Sequence, residues 1–306
     1  MIPLLLAGTG AFLGAAHVLA ALREQNDPQD LAAGVGGCYV RAHGYAIWYD
    51  DTGPRDHTPI VLLHGFSAWS FTWREVRQAL LDAGQRVIRI DMIGCGASER
   101  VAAPAYSTHS HAEIILSVLD TLGIQRADLV GHSFGGRVAM QIALLAPTRV
   151  GKIVAICPEV FVSERPPIAA LVGMPLLGFA MSVYTTDPSL VRTGLSMVIR
   201  RDQWITSAVL EGYAAPLRVR GNALSQVWQA RSPKDGLLAV PQHIGQISAA
   251  TLLVWGEHDP IFPLEHGQRL TQLLPHAQLV TIAGVGHLPY EEAAADTIAP
   301  IVAFFG

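Results

Sequence analysis

Three residues, Ser133, Asp259 and His287, are of the types and in the order that acyl transfer by a nucleophilic hydroxyl requires. The serine would attack, the imidazole would take its proton, and the carboxylate would fix and stabilise the imidazole. Ser133 lies in LVGHSFGG (129–136), with Gly131 and Gly135 two residues to either side. An apolar run, a G-x-S-x-G turn and then apolar residues at helical spacing describe a strand bent sharply into a helix with the serine at the apex. Glycines are needed there because a strained turn brings strand and helix too close for Cβ atoms. Asp259 ends ATLLVWGEHD and His287 ends AQLVTIAGVGH, so both follow an apolar run expected to be a strand. Glu257 and His258 compete with Asp259 for the acid position, and an aspartate before Pro260 is also a turn former. The oxyanion donors should be main-chain N–H groups. Phe134, the first residue of the helix after Ser133, supplies one, and Phe66 in the loop after PIVLLHG supplies the other.

The elements that must hold these groups follow from periodicity. YVRAHGYAIWYDDTG reads as a hairpin turning near His43 and Gly44. PIVLLHG, RVIRIDMIG, ADLVGH and KIVAICP are short apolar strands, alternating with helical patterns over 69–83, 108–122 and 135–145. Strands apolar on both faces and separated by helices predict an α/β fold with a mostly parallel central sheet covered on both sides. After Cys157 the rhythm changes to several short helices, then resumes with ATLLVWG, a helix over 264–274, AQLVTIAG and a closing helix over 289–305. The segment 158–247 therefore reads as a helical cap inserted into a core formed by 38–157 and 248–306.

Composition sets outer bounds. The chain has 306 residues, half of them hydrophobic and 15% charged, with a mean hydropathy of +0.33. A net charge of −4 gives no electrostatic case for nucleic acid. Cys38, Cys95 and Cys157 are widely spaced and odd in number, which suggests neither a disulfide framework nor a zinc cluster, and they read as buried free thiols. No cofactor is expected. The GCGAS turn after Asp91 lacks the third glycine and the later acid of a dinucleotide site. The histidines at 109 and 111 lack a third ligand at sensible spacing. Residues 1–22 carry no Asp, Glu, Lys or Arg and are long enough for one bilayer crossing. They read either as a membrane anchor or export segment, or as a helix packed on the body, which leaves localisation between cytoplasmic and membrane-associated. QNDPQDLAAGVGG reads as the linker that follows, completing a segment of 1–37.

HGF at 64–66, DMIGCGAS at 91–98, GHSFGG at 131–136, WGEHDPIFP at 255–263 and GVGHLPYEE at 284–292 together resemble the α/β-hydrolase superfamily over roughly residues 39–306. The resemblance is to serine esterase or lipase-like members with a helical cap. It implies the Ser133–Asp259–His287 triad, cofactor-free cleavage of carboxylic esters, and an acyl-enzyme on Ser133. Relatives that open epoxides or halides carry aspartate where this chain has Ser133, so those chemistries are disfavoured. Cys95 stands where the family commonly has histidine, a departure confined to a loop.

The expected substrate is a small to medium hydrophobic ester, bound by a pocket for which His64, Trp69, Phe71, Met181 and Trp204 are candidates. His64 is also read as a brace of its loop in preference to a base. Carbon–carbon hydrolysis of a meta-cleavage product is the alternative. It wants a cation for an acidic substrate, with Arg137, Arg192 and Arg200 as candidates. A non-catalytic ligand-binding protein on the same fold is a third possibility.

Overall fold

The computed structural model describes residues 24–101, 105–161, 188–232 and 243–306. The chain enters through helix α1 (Pro28–Val35), where a linker is expected from composition. Asp27 and Asp30 form a reciprocal capping box and Pro28 occupies the first turn, so local start signals outweigh the Gly/Ala content. No residue of α1 is buried, so it contributes nothing to the core.

Among the described residues eight strands follow: β1 (Cys38–Ala42), β2 (Tyr45–Thr52), β3 (Ile60–Leu63), β4 (Val87–Ile90), β5 (Ala127–His132), β6 (Val150–Ile156), β7 (Ala250–Gly256) and β8 (Ala277–Ile282). They form one sheet in the order β1-β2-β4-β3-β5-β6-β7-β8. Only the β1–β2 and β2–β4 pairs are antiparallel. Helices α2 (Arg74–Asp82), α3 (Thr108–Thr121) and α4 (Phe134–Leu145) connect the first parallel strands. β3 is buried at all four positions, and the central strands form one continuous apolar core with α3 and α4. Both faces of the sheet are therefore covered, as their unbroken apolar runs require.

Between β6 and β7 the described part of the inserted cap contains the helices α5 (Pro188–Val198), α6 (Ser207–Ala214) and α7 (Asn222–Arg231). The core then continues with α8 (Leu264–Leu273). The closing helix breaks into α9 (Pro289–Glu292) and α10 (Ala294–Phe305), because Ala293 takes φ −144° and ψ 65°.

The reading of residues 1–22 as a membrane-associating segment is corrected. Among the described residues no helix is long and apolar enough to cross a membrane. Residues 1–22 themselves lie outside the described residues. The chain just after them is fastened to the cap: the Glu24 carboxylate accepts the N–H groups of Gly221 and Ala223 at 2.8 and 2.6 Å, at the start of α7.

Candidate active site

Parallel register aligns the carboxyl ends of the inner strands. Leu63 pairs with Gly131, His132 with Ile156, Ile156 with Val254, and Gly256 with Ile282. His64, Ser133, Cys157, Asp259 and His287 all emerge along this edge, where open α/β sheets bind ligands.

Ser133 has φ 52° and ψ −115°, a conformation costing on the order of 1–3 kcal/mol for a residue with a Cβ. Its surroundings hold it there. Its N–H donates to the Ile156 carbonyl at 2.9 Å, and its own carbonyl accepts from Arg137 N–H and Glu159 N–H at 3.2 and 3.0 Å. A Cβ on Gly135 would lie 2.1 Å from the Leu63 carbonyl oxygen, and one on Gly131 would lie 2.4 Å from that of Gly135. These two glycines are required by contact. α4 begins at Phe134, directing unpaired N–H groups and the positive end of its dipole toward the turn. The loop after β3 packs against the same turn: a Cβ on Gly65 would lie 2.8 Å from His132 Nδ1 and 3.4 Å from Ser133 Cβ. Phe66, the next residue, is exposed.

The His287 Nδ1–H donates to Asp259 Oδ2 at 2.7 Å, and the acid's side chain is fully buried. Asp259 Oδ1 accepts from the N–H groups of Ile261 and Phe262 at 2.8 and 3.0 Å. With Nδ1 committed as donor, Nε2 is the ring nitrogen left to act as base. Glu257 instead accepts the Gly284 N–H at 2.8 Å and His258 is exposed, which separates both from the acid's role.

Cys157, read from sequence only as a free thiol, also stands at this edge and is buried. It follows β6 with φ 43°, and its thiol is pushed well above the ordinary range by burial and by the Asp259 charge. Cys157, Asp259 and His287 place their ligand-type atoms within 4.8 Å of one another. The Asp259–His287 contact of 2.7 Å is a hydrogen bond, however, and is shorter than the roughly 3.3 Å that separates two ligands about 2 Å from a tetrahedral ion.

His64 is fully buried. Its Nε2 accepts the Met92 N–H at 3.0 Å, and its Nδ1–H donates to the Gly65 carbonyl at 2.8 Å. Burial holds the ring neutral, with its pKa lowered to about 4. Both nitrogens serve the main chain, so His64 braces the loop and offers a pocket no polar atom. Asp91 fixes the neighbouring turns, accepting Ser70 N–H at 2.7 Å and Ala97 N–H at 2.8 Å. Trp69, Phe71 and Trp204 gather around Tyr213 of α6. Phe71 and Trp204 meet its ring edge-on at 5.8 and 6.2 Å, and Trp69 stacks on Phe71 at 6.0 Å. Met181 lies outside the described residues. Arg137 forms a buried ion pair with Glu159 at 3.0 Å, which neutralises it as a site for a substrate carboxylate.

A polar chain that single-sequence reasoning missed links the site to the cap. The His132 Nε2–H donates to the carbonyl of His287 at 2.9 Å, and its Nδ1 lies 3.3 Å from the Tyr290 hydroxyl. Thr72 Oγ1 lies 2.9 Å from that hydroxyl and 3.0 Å from the hydroxyl of Tyr213. Tyr213 in turn donates to Glu291 at 2.7 Å, and Arg74 grips both oxygens of Glu291. Only the clustering of titratable residues in HLPYEE signals this chain in the sequence.

Residues 58–197 and 201–294 match the family model of the alpha/beta hydrolase fold. The chain belongs to that family. It is 32% identical over 274 residues to a 2-hydroxy-6-oxononadienedioate/2-hydroxy-6-oxononatrienedioate hydrolase of Paraburkholderia phymatum, covering 82% of this chain and 86% of that protein. It is 29% identical over 250 residues to a 2-hydroxy-6-oxo-6-phenylhexa-2,4-dienoate hydrolase of Burkholderia cepacia, covering 79% and 85%. A crystal structure of a meta-cleavage product hydrolase, CumD, superposes with a TM-score of 0.74 at 25% identity, covering 88% of this chain and 97% of that one. As an α/β-hydrolase-fold protein, the chain carries a nucleophile–histidine–aspartate arrangement suited to a hydrolytic enzyme.

Proposed function

We propose that this protein is a carbon–carbon bond hydrolase acting on 2-hydroxy-6-oxo-2,4-dienoates, with Ser133 as nucleophile, His287 as acid–base and Asp259 as the acid that orients it. The observation carrying this reading is the likeness over most of the chain to hydrolases named for such substrates. Ester cleavage, which the residues alone favour, uses the same machinery but has less support from these relatives.

The proposed chemistry treats the 6-oxo group as an acyl carbon. Moving the 2-hydroxyl proton to C5 gives the 2,6-dioxo tautomer. His287 Nε2 takes the Ser133 proton as Oγ bonds to C6, and the N–H groups of Phe134 and Phe66 receive the oxyanion. The C5–C6 bond then breaks. Its electron pair leaves on the five-carbon fragment as a dienolate delocalised onto the 2-oxygen, and the imidazolium returns a proton to that oxygen. Water, deprotonated by His287, hydrolyses the acyl group from Ser133. The products are 2-hydroxypenta-2,4-dienoate and a carboxylic acid.

The test is product analysis with 2-hydroxy-6-oxo-6-phenylhexa-2,4-dienoate beside a short aryl ester. Equimolar benzoate and 2-hydroxypenta-2,4-dienoate, with kcat/KM above that for the ester, is the expected result. Turnover of the ester alone would replace this reading with the esterase one.

A further inference from the structure

The Glu292 carboxylate is buried and faces main chain from two directions. It accepts the Gly286 N–H at 2.9 and 3.0 Å and the Leu288 N–H at 3.3 Å, the two amides flanking His287. From the cap it accepts the N–H groups of Arg200 and Arg201 at 2.6 and 3.0 Å, just beyond the end of α5. The seam is closed further by the amide of His287 itself, which donates to the Val198 carbonyl at 2.8 Å. There is no space to spare: a Cβ on Gly286 would lie 2.5 Å from that carbonyl and 3.0 Å from the Ile199 Cα.

We propose that Glu292 is a positioning residue that makes the His287 loop and the cap segment 198–201 one mechanical unit. The inference rests on the reading of His287 as base. A carboxylate is suited to this task because its two oxygens accept several N–H groups at once, and bonds to a charged acceptor are about twice as strong as neutral ones. Each amide is a main-chain group that persists whatever side chain stands at its own position, proline excepted, so Glu292 is the side chain that gathers these four donors. The imidazole is held at Nδ1 by Asp259 and at its own amide by the cap. Displacing the cap segment therefore moves the backbone from which the ring projects. Seating of the cap and alignment of the base are then the same event.

Two variants of the full chain test this. Glu292→Gln keeps the length but loses the charge and one acceptor. Gly286→Ala leaves Glu292 in place and drives a methyl group into the seam. The readout is the rate at which a fluorophosphonate labels Ser133, followed by intact mass, together with hydrogen exchange of the amides at 200–201 and 286–288. Both variants should label at least tenfold more slowly while still folded, and both amide groups should lose protection together. A purely structural role would lower the melting temperature and leave the labelling rate of folded protein unchanged. Labelling within twofold of the parent chain, or loss of protection on one side of the seam only, overturns the proposal. Labelling does not depend on the substrate class, so failure to cleave a dienoate bears on the proposed function alone. If the parent chain itself is not labelled, the catalytic reading fails, and the exchange arm still decides whether Glu292 joins the two segments.

Discussion

His132 Nε2–H donates to the carbonyl oxygen of His287 at 2.9 Å, so the residue before the nucleophile holds the loop of the base. Their rings lie 4.7 Å apart, and burial with the nearby His287 keeps His132 neutral, well below its ordinary pKa. A neutral ring with Nε2–H leaves Nδ1 as acceptor for the Tyr290 hydroxyl. His132→Leu should reduce kcat about fivefold, from loss of a hydrogen bond worth about 1 kcal/mol. His132→Gln, whose amide N–H reaches nearly as far as Nε2, should retain most of the activity. Steady-state kinetics on the two variants provide the check, and equal losses would contradict the hydrogen-bond account.

Asp259 offers a sharper cut. Asp259→Asn keeps the shape of the side chain but lets its amide donate where His287 Nδ1–H donates now, which favours the wrong tautomer. By analogy with other Ser–His–Asp sites, kcat should fall on the order of 10⁴-fold. Binding of a product analogue by calorimetry should change little, because the carboxylate is buried behind the ring.

Gly65→Ala tests the oxyanion side. A methyl group 2.8 Å from His132 Nδ1 must push the Phe66 loop away from Ser133. If the N–H proposed at Phe66 is the second oxyanion donor, its displacement should cost on the order of 10²–10³ in kcat. Fluorescence-detected melting should show the variant folded, whereas Gly135→Ala, facing the Leu63 carbonyl at 2.1 Å, should fail to accumulate as folded protein.

Stability should fall with acid. Burial lowers His64 and His111 to about 4 and His132 well below its usual value. Below pH 6.5 the unfolded chain binds protons that the native histidines refuse, so stability is lost as pH falls from 6.5 toward 4, by about 3 kcal/mol each for His64 and His111. Asp91, raised to about 6 by burial, acts in the opposite sense: its native carboxyl is protonated first, adding stability as pH falls from 6 toward 3.8. The smaller upward shifts of Glu24, Asp128 and Glu291 have the same sign as that of Asp91. The histidines outweigh these carboxyls above pH 5, so the melting temperature should drop between pH 6.5 and 5. His111→Leu should flatten that drop, and an unchanged slope would contradict the assignment.

The sheet and the three candidate catalytic residues were legible because the strands leading to them are short, mostly apolar runs followed within a few residues by glycine or a polar residue, which marks where Ser133, Asp259 and His287 must stand. What escaped reading is contact between segments distant in sequence. Glu292 binds main-chain N–H groups 91 and 92 residues away, and a main-chain donor leaves no trace in residue type. His132 and Tyr290 are equally silent until β5 and the last loop are brought together. Continuous helical periodicity over 289–305 hid the break at Ala293, which frees Glu292 from a regular helix to face the His287 loop. α1 was missed because Gly and Ala suggested a linker, although Asp27, Pro28 and Asp30 carried its start.

Turnover of 2-hydroxy-6-oxo-6-phenylhexa-2,4-dienoate by the parent chain and by Ser133→Ala in the same assay is the most direct test of the account. The parent should bleach the dienoate and release both products. The variant should lose at least about 10³-fold in kcat, as removal of the nucleophile demands. Equal turnover by the two proteins would contradict it.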